Sequence, residues 1–167
     1  MPIPVVGGPR VPIDVLRRAL ESRAIADYEL IAETYTELGH ESGLGNLMPF
    51  AQAVKECAWF RDWKWVKNNN PTGLGSFTRA TRGYVFETKE QGIRASFGHL
   101  LGYALTDLQA CRCQAELMKS SPRLSVLSDR GYRGIAKVWA DLNGRWAWPG
   151  TTYGQSIERL AMEISQS

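Results

Sequence analysis

Apolar side chains recur every three or four positions along most of this chain, the spacing that gathers them on one face of a helix. In PIDVLRRALESR, residues 12–23, Ile13, Leu16 and Leu20 share such a face, and Pro12 suits a first turn, where its missing N–H would find no helical partner anyway. DYELIAETYTELG repeats the pattern with Tyr28, Ile31, Tyr35 and Leu38, and Gly39 reads as its C-terminal stop. A third helix is expected to begin near Asn46 and Pro49, with Phe50, Val54 and Cys57 or Ala58 as its apolar stripe. Gln52, Glu56 and Phe60 follow one another at i, i+4 and i+8 on a different face of it. From Lys89 to Gln109 a broad apolar face runs through Ile93, Phe97, Leu100, Leu101, Ala104 and Leu108. YRGIAKVWADLNG and YGQSIERLAMEIS predict two further amphipathic helices, joined by the turn-rich GRWAWPGTT.

Two stretches break the pattern. Residues 67–87 are rich in Asn, Gly, Thr and Ser with the β-prone piece GYVFET, which predicts a loop followed by a small hairpin. Residues 112–130 read as an irregular surface connection. The fold class expected is therefore α+β, predominantly α-helical, with a small β-hairpin lobe. At 167 residues the chain is one domain, 1–167, with 1–26 as an N-terminal helical extension, and it shows no internal repeat.

Composition narrows the class. A chain 44% hydrophobic and 22% charged is neither disordered nor fibrous. No apolar run approaches the ~20 residues of a membrane span. The start, MPIPVVGGPRVPIDV, lacks a basic segment followed by an apolar stretch, so no standard secretory signal is visible. The net charge of +3 is compatible with an anionic polymer, but no helix shows a basic stripe interleaved with aromatics, which argues against nucleic acid. Cys57, Cys111 and Cys113 lack metal-ligand spacing, so neither a metal nor a cofactor is expected, and all three read as free thiols. Cys111 and Cys113 are expected to diverge as i and i+2 positions on a helix.

Chemistry concentrates in residues 39–75, where two glutamates compete for attention. Glu41 lies in a Gly-rich turn, HESGLG; Glu56 lies at the end of the third helix. An acid that cleaves glycosidic bonds must keep its proton near neutral pH, which a partly apolar setting achieves by disfavouring the carboxylate. Trp59 and Phe60 could supply that setting to Glu56. Trp59, Trp63 and Trp65 offer flat faces on which sugar rings stack.

Four motifs in order carry a resemblance. Ala51-Gln52-Ala53 with Glu56 is followed by Asn69-Asn70-Pro71-Thr72-Gly73-Leu74, then Gly92-Ile93-Arg94-Ala95, then His99-Leu100 with Tyr103-Ala104. Together with the ending from Asn143 to Gly154, this resembles the glucosaminidase family of bacterial cell-wall hydrolases, glycoside hydrolase family 73 and its relatives among autolysins and phage lysins. The resemblance implies a lysozyme-like fold and hydrolysis of the β-1,4 bond after N-acetylglucosamine in peptidoglycan. Glu56 matches the family's catalytic glutamate and is the expected general acid; Glu41 is a decoy. Two positions depart from the pattern: Cys57-Ala58 stands where a small hydroxyl residue and Gly are usual, and Pro71 where an apolar or aromatic residue is common.

The remaining roles follow from that resemblance. Glu87, in the expected hairpin, is the candidate second carboxylate, ahead of Glu90 and Asp62, unless the substrate's own acetamido group assists. Tyr153 is expected to orient water or that group, and Trp59, Asn69, Asn70 and Gly73 to contact sugar, with both asparagines also needed as loop framework. His99 reads as a structural histidine. The expected partner is the peptidoglycan glycan strand, met by a monomer at the cell wall, with the chain phage-encoded or exported by a non-standard route. A lytic transglycosylase acting after N-acetylmuramic acid and a non-catalytic wall-binding or phage structural module are the alternatives.

Overall fold

Helix α5, Lys89–Ala104, is buried on nearly every side and forms the axis of the domain. The computed structural model describes residues 1–76 and 81–166. Around α5 stand α1 (Ile13–Glu21), α2 (Tyr28–Ser42), α3 (Leu47–Glu56), α4 (Trp63–Asn68), α6 (Arg112–Met118), α7 (Leu124–Asp129) and α8 (Tyr153–Ser165), with one 3-10 turn at Trp139–Leu142. α2, α6 and α7 pack on α5, while α8 packs on α3 and on the 3-10 turn. Residues 1–26 share this core, because Val5, Val15, Leu16, Ala19, Leu20 and Ile25 are buried and α1 lies against α2 and α8. Tyr35 sits at the centre, its ring 5.5 Å from Phe50 and 5.6 Å from Phe97, with Phe60 and Trp65 continuing the cluster toward α4.

The expected β lobe is absent: no strand pairing beyond two isolated bridges, and no hairpin, forms among the described residues. Residues 77–80, inside the expected hairpin, lie outside them. The domain is helical, and the α+β class with a lysozyme-like β-hairpin lobe is overturned. The physical reason is the Asn68-Asn69-Asn70 run. Residues 82–86 run without regular structure, and where a second strand would receive their carbonyls, asparagine amides do so. Asn68 Nδ2 donates to Arg82 O at 2.9 Å, Asn70 Nδ2 to Tyr84 O at 3.0 Å, and Asn69 Nδ2 to Phe86 O at 2.9 Å. Alternate residues are held as on a strand edge, the Tyr84 and Phe86 N–H groups donating to Leu74 O and Asn68 O while asparagine side chains take the carbonyls, and no ladder forms.

Other boundaries moved for identifiable reasons. Gly39 does not stop α2, which continues to Ser42 and ends at Gly43 in the left-handed conformation. A Cβ at position 39 would come within 2.7 Å of the backbone at Gly45 and Asn46, so this glycine admits a close chain crossing. Residues 112–130 hold two short helices, α6 and α7, where an irregular connection was expected. Residues 132–144 form only the 3-10 turn where a full helix was expected: Gly134 and Gly144 take positive φ, and Asp141 Oδ2 accepts from the backbone N–H groups of Lys137 and Val138. Cys111 and Cys113 are free as expected, yet their sulfurs lie 2.9 Å apart instead of diverging. Cys111 precedes α6 in an extended conformation, so helical i, i+2 geometry does not apply.

Asn70 is fully buried, and its amide makes three hydrogen bonds, two from Nδ2 and one to Oδ1 from Leu74 N at 2.9 Å. Asn70→Ala is expected to cost roughly 3 kcal/mol, measurable by chemical denaturation, because each lost bond leaves a partner wanting in the interior. A loss below that of an ordinary surface substitution would show that the run does not carry the loop.

Candidate active site

Glu56 is the last residue of α3, and the chain beyond it turns sharply. Ala58, Trp59 and Phe60 have φ of 49°, 56° and 59°, three successive left-handed residues, none of them glycine. Such backbone costs about 1–2 kcal/mol per residue and persists only where the surroundings impose it. Here the turn sends Phe60 back into the aromatic core, while Trp59 N donates to Val54 O and Asp62 N to Cys57 O, both at 3.0 Å. Cys57 is buried and donates its thiol to Ala53 O at 2.9 Å, the bond a serine or threonine would make from this place. Burial pushes its pKa up to about 12, so it acts as a small packing donor and not as a nucleophile.

The Glu56 carboxyl is half-buried and borders an open cleft. From the first turn of α8, Tyr153 donates its hydroxyl to Glu56 Oε1 at 2.5 Å, and from α3 itself Gln52 Nε2 donates to the Tyr153 oxygen at 2.9 Å. Gln52 and Tyr153 are buried, so this relay is shielded from water. Its consequence is positional: with Oε1 accepting from tyrosine, the proton of the neutral acid resides on Oε2, which receives no hydrogen bond from the described residues. Burial raises the Glu56 pKa above the usual carboxylate range; the Tyr153 bond and the charges of Lys64 and Lys55 pull the other way without overcoming it. The Tyr153 phenol is itself held far above its ordinary value by burial and by Glu56, and stays neutral.

The cleft encloses about 440 Å³. One wall is Glu56, Lys64 and the loop from Thr72 to Ser76; the other comes from α7 and residues 145–148; His99 and Tyr103 of α5 form the floor. His99 Nδ1 pairs with Ser121 Oγ at 2.9 Å, and burial with the nearby Arg123 charge brings its pKa down to about 3, so the ring is neutral and braces the floor against Trp146 at 5.1 Å. Trp146 and Trp148 both border the cleft, and Trp148 is 86% exposed.

The other sequence-predicted residues scatter. Gly73 borders the cleft. Glu87 is exposed at the approach to α5, its N–H donating to Gln91 Oε1, and it does not border the cleft; neither does Glu90. Asp62 caps α4 by accepting from Lys64 N at 2.8 Å. Trp59 lies under the Arg23 guanidinium at 3.8 Å, Trp65 is core, and Trp63 faces outward elsewhere. The Asn69 and Asn70 amides are engaged with residues 74–86 and are framework. Glu41 belongs to the last turn of α2 and pairs with Arg94 at 2.9 Å, away from the cleft. Sequence reasoning missed Trp146, Trp148 and the arginines of the far wall. The Trp-Ala-Trp spelling was visible; its convergence on Glu56 was not.

No family model, curated protein or solved structure matches this chain.

Two expectations follow from the geometry. Ala58→Gly is expected to raise stability by about 1 kcal/mol in denaturant titration, since glycine adopts the left-handed conformation without a Cβ penalty. Glu56→Gln is expected to be more stable than the parent by a margin that grows with pH. The folded-state pKa of Glu56 lies above its unfolded value, so the parent loses stability as pH climbs from the ordinary carboxylate range through the raised value, whereas glutamine has nothing to ionise. Unfolding midpoints of both proteins across that range give the answer; a constant difference would mean that Glu56 is not desolvated.

Proposed function

We propose that the protein is a peptidoglycan glycosidase that cleaves the β-1,4 bond after N-acetylglucosamine, with Glu56 as general acid. One observation carries the reading: a half-buried carboxyl at a cleft wall, its pKa raised by burial and its Oε1 held by the Tyr153 hydroxyl. This is the setting that keeps a proton available near neutral pH and aims it from Oε2. Trp146 and Trp148 supply faces for sugar rings.

Glu56 is the only carboxyl bordering the cleft among the described residues, and positions 77–80, Phe-Thr-Arg-Ala, contain no acid. The chemistry proposed therefore needs one protein carboxyl. Glu56 gives its proton to the departing glycosidic oxygen as the C1–O bond breaks; the acetamido oxygen of the same sugar bonds to C1; the resulting Glu56 carboxylate then takes a proton from the water that reopens the ring. Tyr153 is a positioning residue, holding the carboxyl in one orientation through both steps.

The same single-carboxyl observation favours a second reading, a lytic transglycosylase, in which a hydroxyl of N-acetylmuramic acid closes on its own C1 and no water is consumed. Mass spectrometry of products from purified peptidoglycan separates the two by one water and by the identity of the new end.

Glu56→Gln is expected to lower turnover about 10²- to 10⁴-fold, read as release of soluble fragments from wall suspensions. Full activity in that variant would eliminate the assignment. Tyr153→Phe is expected to retain activity at roughly a tenth of the parent's and to move the alkaline limb of the pH–rate profile upward. The phenol's hydrogen bond favours the carboxylate, so its removal raises the Glu56 pKa further and keeps the acid protonated to higher pH. A limb that stays put or moves down would separate Tyr153 from Glu56.

A further inference from the structure

The wall facing Glu56 is cationic. Arg123, Arg130 and Arg145 border the cleft there, with Lys64 on the near side, and among the described residues Glu56 is the single acid that borders it. The chain carries 17 Asp and Glu against 20 Lys and Arg, so an even spread would have placed more than one acid on a cleft with four cations. Elsewhere Arg17 pairs with Asp14, Glu29 and Glu33, Arg94 with Glu41, and Arg133 with Asp107, while other described arginines, Arg10, Arg23 and Arg61 among them, form no ion pair; the cleft is set apart by the convergence of its cations on one wall. Arg130 and Arg145 form no ion pair with any described carboxylate.

The guanidinium groups are also organised. Arg123 and Arg130 flank the six-residue helix α7, one at each end, two helical turns apart on the cleft side. Arg145 donates from Nη1 to Asp141 O at 2.8 Å and lies 6.0 Å from the Tyr132 ring centre, which limits its freedom before any ligand arrives. All three fields reach the Tyr103 hydroxyl on the floor, where they oppose the effect of burial. A guanidinium presents paired N–H donors that match two oxygens of a carboxylate or a phosphate, so the chemistry these residues fit is an oxyanion, and on the glycan proposed for this cleft that oxyanion is a carboxylate.

We propose that Arg123, Arg130 and Arg145 form a carboxylate-binding subsite that receives an acidic substituent of the glycan beside the bond Glu56 protonates. The inference rests on the reading of the cleft as a wall glycosidase site and names which glycans it takes. N-acetylmuramic acid carries a lactyl ether that ends in a carboxyl or in a peptide bearing carboxylates. A polymer of N-acetylglucosamine alone carries none. The subsite thus makes the enzyme selective for acid-bearing glycan and poor on the uncharged polymer, and the selectivity weakens as salt screens the exposed guanidiniums.

The test uses two glycans with one backbone, one with free carboxylates and one with those groups converted to neutral amides. Glu56→Gln protein, expected to turn over slowly, is titrated with each by calorimetry, and wild-type kcat/KM is measured on both. The expected result is at least about tenfold weaker binding of the amidated glycan, with the difference shrinking in Arg130→Gln and in added salt. Arg130 is exposed at the end of α7, so this change leaves the core intact; circular dichroism of the variant checks it. Equal binding and equal kcat/KM on the two glycans overturn the subsite and leave Glu56 standing. Preferred binding of the carboxylated glycan with no cleavage by wild type upholds the subsite and overturns the glycosidase reading. Binding of neither glycan, or tighter binding of a single-stranded nucleic acid than of the carboxylated glycan in the same titration, overturns the proposal.

Discussion

The hydrogen bond from Tyr153 to Glu56 joins the end of α3 to the start of α8 and sets the terms for the rest. Tyr153 opens α8, and Glu56 closes α3, 97 positions earlier, so the bond exists only where those helices are packed against each other. Gly154 lets the first turn of α8 lie against the 3-10 turn: a Cβ there would fall within 2.3 Å of the Trp139 carbonyl oxygen. Behind the tyrosine, Gln52 donates from the same helix that ends in Glu56, one turn back, which ties the orientation of the carboxyl to the register of α3. A carboxyl on a freely rotating side chain at a helix end would be solvated and acidic; this one is neither free nor fully solvated.

The left-handed turn after Glu56 belongs to the same constraint. Had α3 continued, the residues after Glu56 would have extended along its axis and Phe60 would have missed the ring cluster of Tyr35, Phe50 and Trp65. Three successive residues in an unfavourable backbone region are held by the burial of Phe60 and by the hydrogen bonds back to Val54 and Cys57. The cost is borne beside the one carboxyl of the cleft, where a helix end must be abrupt for its last side chain to stand clear of the next turn.

Legibility in the sequence divided along physical lines. α1, α3, α5 and α8 were visible because their apolar periodicity reports a face buried along a whole element. The 82–86 segment was misread because β-prone residues and turn formers predict extended backbone but not its partner; asparagine side chains took that part, and no periodicity announces them. The span 132–144 was misread because Val138, Trp139 and Leu142 keep helical spacing while Gly134, Gly144 and the Asp141 carboxylate stop the helix forming. Within the candidate site, Glu56 and Tyr153, singled out through motif order, are brought together by the structure. Trp59 was chosen over Trp146 and Trp148 because closeness along the chain stood in for closeness in space, and the left-handed turn swings Trp59 away toward Arg23.

A cationic cleft and an acid of raised pKa pull against each other, and the structure separates them by depth. Cations stabilise carboxylate, and Lys64, whose Nζ lies 3.4 Å from the Glu56 carbonyl oxygen, does lower the Glu56 pKa. Burial outweighs it. The three arginines are not among the groups that shift Glu56, although all of them act on Tyr103 across the floor. Arg130 and Arg145 stand at the exposed rim, where water and salt attenuate their fields over about 8–10 Å, whereas Glu56 is half-buried against the buried Tyr153 and Gln52. One groove therefore holds charge that attracts an anion and, a short distance away, an environment that disfavours the ionised form of an acid. Moving the cations inward would favour the carboxylate; moving the acid outward would remove the burial that raises its pKa.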